Sequence, residues 1–157
     1  MRDPKKELIV RPIKDGTVID HITPGKALSV LRILGIPKKH PKTTVSVVMN
    51  VLSKKMGSKD IVKVEGRELK ETEANKITLI APQATINIIR NYKVIEKRKV
   101  ELPNIVEGIV KCANPNCITN TNEAISTKFF IERKEPIRLR CCFCERIIES
   151  ETIEQFL

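Results

Sequence analysis

The sequence predicts an α+β fold in two parts, and three observations carry that expectation. Short β-branched runs alternate with two segments of helical period through the first two-thirds of the 157 residues, and all five cysteines fall later, between positions 112 and 144. The positive charge also stops where the cysteines begin: residues 1–103 hold 22 Lys and Arg against 11 Asp and Glu (+11), whereas residues 104–157 hold 7 against 8 (−1).

The elements follow in order. ELIVRPI (7–13) reads as a strand, Lys14-Asp15-Gly16 as a turn, and TVIDHI (17–22) as a second extended segment of β-branched residues. The period then changes: Thr23 is the expected N-cap, Pro24 the first helical residue, and Ala27, Leu28, Leu31 and Leu34 form one apolar stripe that Gly35 ends. After a Pro- and Lys-rich loop (35–42), TTVSVVMNVL (43–52) and DIVKVEG (60–66) pair as a hairpin about KKMGSK. ELKETEANKI (68–77) has the composition of a second helix, and residues 84–89 and 92–98 are two more strands about a turn at Asn91.

Apart from the opening strand, this order is strand, helix, two strands, helix, strand, the ferredoxin-like order in which two helices cover one face of an antiparallel sheet. The other face stays open, and a second copy of the chain is the simplest cover for it, so a homodimer through the N-terminal domain is expected. Pro103 cannot extend a central strand, and the charge changes there. The domains are therefore placed at 1–102 and 103–157, the second a small all-β unit.

Composition narrows the function classes. Hydrophobic content is 41%, no run of about 18 apolar residues occurs, and MRDPKKELIV lacks the pattern of a secretory signal, so a soluble, cytoplasmic protein without a membrane partner is expected. Aromatic content is 3%, with no Trp and one Tyr, which leaves few platforms for stacking the bases of a single strand.

Four cysteines form two close pairs, Cys112 and Cys117 in CANPNC and Cys141 and Cys144 in CCFC. Two tight turns that each offer two sulfurs to one point suit a tetrahedral metal, and zinc is the expected ion, one per chain, with iron as the competitor. Four thiolates leave no open coordination position, so the metal would be structural, folding a unit too small to bury enough apolar surface unaided. A disulfide framework conflicts with the expected intracellular redox state. Cys142 matches neither pair and reads as a packing residue.

GTVIDHI (16–22), KDIVKVE (59–65) and APQATINIIRNYKV (81–94), together with the cysteine spacing, resemble the regulatory chain of aspartate carbamoyltransferase, over about residues 8–150. The resemblance implies a non-catalytic subunit of pyrimidine biosynthesis whose N-terminal domain binds nucleoside triphosphates (CTP, ATP, UTP) as allosteric effectors and whose zinc domain docks on the catalytic chain. It also implies an effector pocket lined by Asp20, His21, Lys63, Asn87, Tyr92 and Lys97, with Ile13 and Val94 offering backbone groups to the base. Arg11-Pro12 departs from the better-studied bacterial relatives beside that pocket, and the linker KRKVELPN differs too.

Two other classes fit less well. A zinc ribbon that binds nucleic acid should itself be basic, whereas the cysteine-bearing part has no excess of positive charge. An enzyme needs a nucleophile with its base, a phosphate loop or an open metal site, and two His with closed cysteine pairs supply none of these.

Overall fold

The computed structural model describes residues 12–157. Most of the predicted opening strand, and Arg11, lie outside that range. The described residues form two compact units: one comprises those through Lys70 together with Gln83–Lys99, the other Glu71–Pro82 with Val100–Leu157.

The first unit is a five-stranded antiparallel sheet of β1 (Gly16–Ile22), β2 (Val45–Ser53), β3 (Gly57–Glu65), β4 (Thr85–Arg90) and β5 (Lys93–Lys99), in the order β2-β3-β1-β4-β5. Its first four strands have the ferredoxin-like arrangement. Alternation along each strand decides the faces. Thr17 and Ile19 of β1 stand opposite Val64 and Val62 of β3 and Ile88 and Ile86 of β4, and all six are buried. Helix α1 (Ala27–Ile33) packs against β2 and β3 and buries Ala27 and Val30.

Helix α1 starts three residues later than its sequence suggests. Lys26 occupies the cap position without a side-chain cap, and Thr23 contributes only its carbonyl, which accepts the Lys26 N–H. The cap is supplied from β3 instead. Asp60, fully buried, accepts the backbone N–H groups of Gly25 (2.9 Å) and Ala27 (3.1 Å), and its other oxygen accepts that of Asn50 (2.8 Å). Asn50 sits at φ 57 in the β2 bulge, so one carboxylate ties together the helix start and a strand irregularity.

Helix α2 (Glu71–Ile80) is also displaced toward the C-terminus of its expected span, because Glu68 is held by Arg90 (2.6 Å) and Pro82 sets the limit. It belongs to the second unit, where it packs with the short 3-10 turn Ile153–Phe156. The rest of that unit is an antiparallel sheet of β6 (Ile105–Glu107), β7 (Lys128–Lys134), β8 (Ile137–Cys141) and β9 (Ile147–Glu149). Outside α2, which buries Ala74, Ile77, Leu79 and Ile80, its core is small: Val106, Val110, Phe129, Ile137, Leu139, Ile148 and Ile153. No helix among the described residues is long and apolar enough to cross a membrane.

Candidate functional site

The four paired cysteines converge. The Sγ atoms of Cys112, Cys117, Cys141 and Cys144 all lie within 4.8 Å of one another, with Cys112 and Cys144 at 3.5 Å and Cys117 and Cys141 at 3.8 Å. A tetrahedral ion with sulfur ligands at about 2.3 Å holds them about 3.8 Å apart, so the cluster fits a metal. One turn is fixed by Asn120, whose side-chain amide donates to the carbonyls of Cys112 (2.9 Å) and Asn114 (2.7 Å). The other lies at the end of β8, where the Glu145 N–H donates to the Cys141 carbonyl (3.0 Å).

The thiols are unequal. Burial pushes Cys112 up to about 12, with the neighbouring thiols adding to the effect. At Cys117 burial is outweighed by the hydroxyl and backbone N–H of Thr119, which pull the thiol down to about 7. Burying several thiolates together needs a cation to offset them. Cys142 stays outside the cluster, its N–H donating to the Lys128 carbonyl (2.8 Å).

In the first unit, strand register gathers the other candidate residues. Lys63 of β3 stands opposite Val18, Val18 opposite Asn87, and Asn87 opposite Lys97, so Lys63, Asn87 and Lys97 form one row on the face away from the buried core. Asp20, two residues on from Val18, shares that face and stands opposite Thr85. A flat strand would turn His21 the other way. His21 instead takes φ 55 in the bulge between Ile19 and Ile22, which brings its Nδ1 to 3.1 Å from Thr85 Oγ1 and 3.9 Å from the Asp20 carboxylate.

The register shift in β5, where Ile88 pairs with Glu96 but Ile89 with Val94, puts Val94 on the same face. Tyr92 is farther off, exposed in the β4–β5 turn. Asn91 and Tyr92 both have positive φ, as a two-residue hairpin turn of type I′ requires, and the Tyr92 N–H donates to the Lys14 carbonyl (2.9 Å). Ile13 is buried.

Two residues that sequence reasoning missed complete the cluster. Lys59 Nζ lies 2.9 Å from the Asp20 carboxylate, and Thr85 contacts His21. Lys59 was legible in principle, since it is four residues from Lys63 on the same strand face. Burial alone would raise the Asp20 carboxyl, but Lys59 and the His21 N–H outweigh it and hold it below its usual value. His21 is held low, first by burial and then by the positive field of Lys59, Lys55 and Lys97, against the pull of Asp20. The result is a strongly cationic corner built around one imidazole.

A closed four-thiol cluster that fits a metal and an open, cationic sheet face define a metal-stabilised binding subunit. Comparison with known proteins agrees. The family described as aspartate carbamoyltransferase regulatory chain, allosteric domain, matches residues 8–101, and that chain's metal binding domain matches residues 104–154. Proteins called aspartate carbamoyltransferase regulatory chain are similar throughout. The one from Pyrococcus horikoshii is 59% identical over 147 residues (94% of this chain, 96% of that one). Those from Methanothermobacter thermautotrophicus and Methanothrix thermoacetophila are each 56% identical, over 94% of both chains and 98% of both chains respectively. The chain belongs to the family of aspartate carbamoyltransferase regulatory chains, non-catalytic allosteric subunits with a metal-binding domain.

Proposed function

We propose that this chain senses nucleoside triphosphates such as CTP, ATP and UTP on its open sheet face and passes the signal to a catalytic chain held by its metal module. The observation that carries the proposal is the single row of Lys63, Asn87 and Lys97 beside the Asp20–His21 bulge. A triphosphate is polyanionic near neutral pH and needs cationic donors, which Lys97 and His21 offer. Asp20 and Lys63 suit ribose hydroxyls, while Asn87, Tyr92 and the backbone of Ile13 and Val94 border the base.

Residues 1–102 then form the effector domain and 103–157 the docking domain, in the cytoplasm. Zinc is the proposed ion at Cys112, Cys117, Cys141 and Cys144, because a closed tetrathiolate without an open position suits a structural ion that has no redox chemistry. Metal analysis of the purified chain separates zinc from iron. Two chains pair through the first unit, whose sheet ends in two edge strands that both expose apolar side chains, Met49 and Leu52 on β2 and Val94 and Ile95 on β5, with charged residues crowding β5. Effectors need bind the two states of the assembly unequally by only about 1–3 kcal/mol.

The test is calorimetric titration of the full chain with nucleoside triphosphates. The Lys97→Ala chain should bind about tenfold more weakly or worse, the loss expected for a hydrogen bond to a charged group, with its metal content unchanged. Unchanged affinity would remove Lys97 from the site, and absence of binding by the unaltered chain would overturn the proposal.

A further inference from the structure

The turn that follows Cys117 is folded back onto its sulfur. Ile118–Asn120 form a single 3-10 turn in which the Asn120 N–H donates to the Cys117 carbonyl (2.9 Å), and Thr121 closes on the Ile118 carbonyl through its N–H (3.3 Å) and its hydroxyl (2.6 Å). The Asn120 amide ties this turn to the one that carries Cys112. Thr119 lies at the middle of the turn, and its hydroxyl donates to Cys117 Sγ (3.2 Å). Backbone N–H groups do the same for Cys112, from Asn114, and for Cys141, from Phe143 and Cys144, and a change of side chain leaves those in place. The Thr119 hydroxyl is a donor that a single substitution can remove.

We infer that Thr119 is a positioning residue of the metal site: its hydroxyl holds Cys117 Sγ in the ligating direction and takes up part of the negative charge on that sulfur, so that the chain keeps its ion. This inference rests on metal binding by the four cysteines. Four thiolates around a divalent ion leave a net negative charge in a cluster where Cys112, Cys117 and Cys141 are buried, within a segment (104–157) that already holds 8 Asp and Glu against 7 Lys and Arg. A hydrogen bond to an ionised acceptor is roughly twice as strong as one between neutral groups, so the donor counts most when the sulfur is a metal-held thiolate. Branching at Cβ restricts the Thr119 rotamer, which keeps the hydroxyl on the sulfur. Thr119 also borders a cavity of about 410 Å³ with Lys111, Thr127 and Gln155, through which water can reach the sulfur once the side chain is shortened.

The experiment uses the full chain loaded with cobalt(II), whose sulfur-to-metal charge-transfer band reports the electron density on the ligands. Thr119→Val keeps the shape of the side chain and removes the donor. Its charge-transfer band should move to lower energy, because the sulfur lone pair is no longer stabilised, while the bands that report tetrahedral geometry stay in place. Competition with a chelator should show an affinity for cobalt about tenfold lower or worse, the loss expected when an outer partner of a metal ligand is removed. Thr119→Ser restores the hydroxyl and should match the unaltered chain within about threefold. Thr119→Ala, which admits water in the donor's place, should fall between the two and keeps the comparison available if valine prevents folding. Unchanged retention of cobalt without the hydroxyl, or loss of cobalt without a shift of the band, would overturn the role of Thr119 and leave metal binding intact. An unaltered chain that takes up no cobalt would overturn both.

Discussion

Asp60 and His21 show how much rests on single side chains in the first unit. Asp60 is buried against three backbone N–H donors from two separate segments, so Asp60→Ala strands all three. The expected cost is about 3 kcal/mol or more, read as a lowered urea midpoint with unchanged slope; a cost under about 1 kcal/mol would mean that the carboxylate does not organise the helix start and the bulge. His21 is held below its ordinary value of 6.5 by burial and neighbouring lysines. The unfolded chain therefore takes up its proton first as pH falls, so His21's contribution to stability is present above pH 6.5 and is lost as pH drops through the lower folded value. A bound triphosphate has the opposite effect, because it favours the imidazolium. Affinity should thus rise as pH falls from 7.5 to 6, and His21→Gln should show a flatter dependence; parallel profiles would place His21 away from the phosphates.

At the scale of elements, the strand pattern and the paired cysteines were legible because both are local signals. β2, β3, β4 and β5 fall within a few residues of the β-branched runs that announce them, and the spacing of CANPNC and CCFC identified all four converging sulfurs. The start of α1 was not legible, since its cap comes from Asp60, more than thirty residues away, and a cap supplied across the fold leaves no local trace. The bulge at Asp20-His21 was hidden for a similar reason: alternation sends neighbouring strand residues to opposite faces, and only φ 55 at His21 reverses this. The Gly16 position is the most demanding point of β1. Gly16→Ala should strain the backbone and press on the Val64 carbonyl, lowering stability by about 1–3 kcal/mol in denaturant unfolding; a neutral substitution would show that β1 and β3 can separate there without loss.

At the scale of the whole chain, the two units do different physical work. The second has a small core beside four converging sulfurs, so its order is expected to depend on an ion held there, whereas the first has a sheet with its own buried face. Removal of the metal by a strong chelator should therefore unfold the second unit and abolish association with the catalytic chain. β-strand signal from the first unit should persist in circular dichroism; a chelated chain that still binds its partner would contradict a structural role for the metal. Acid should act in the same direction, because the cysteines bind metal only when deprotonated.

The central claim is that a catalytic chain feels nucleoside triphosphates only through this subunit. The most direct measurement is carbamoyl transfer by the matching catalytic chain, alone and reconstituted with this chain, titrated with CTP and with ATP. A response to triphosphate that appears only after reconstitution, and weakens sharply with Lys97→Ala, is the expected result. Turnover that ignores triphosphates in the reconstituted assembly, or responds to them equally without this chain, would contradict it.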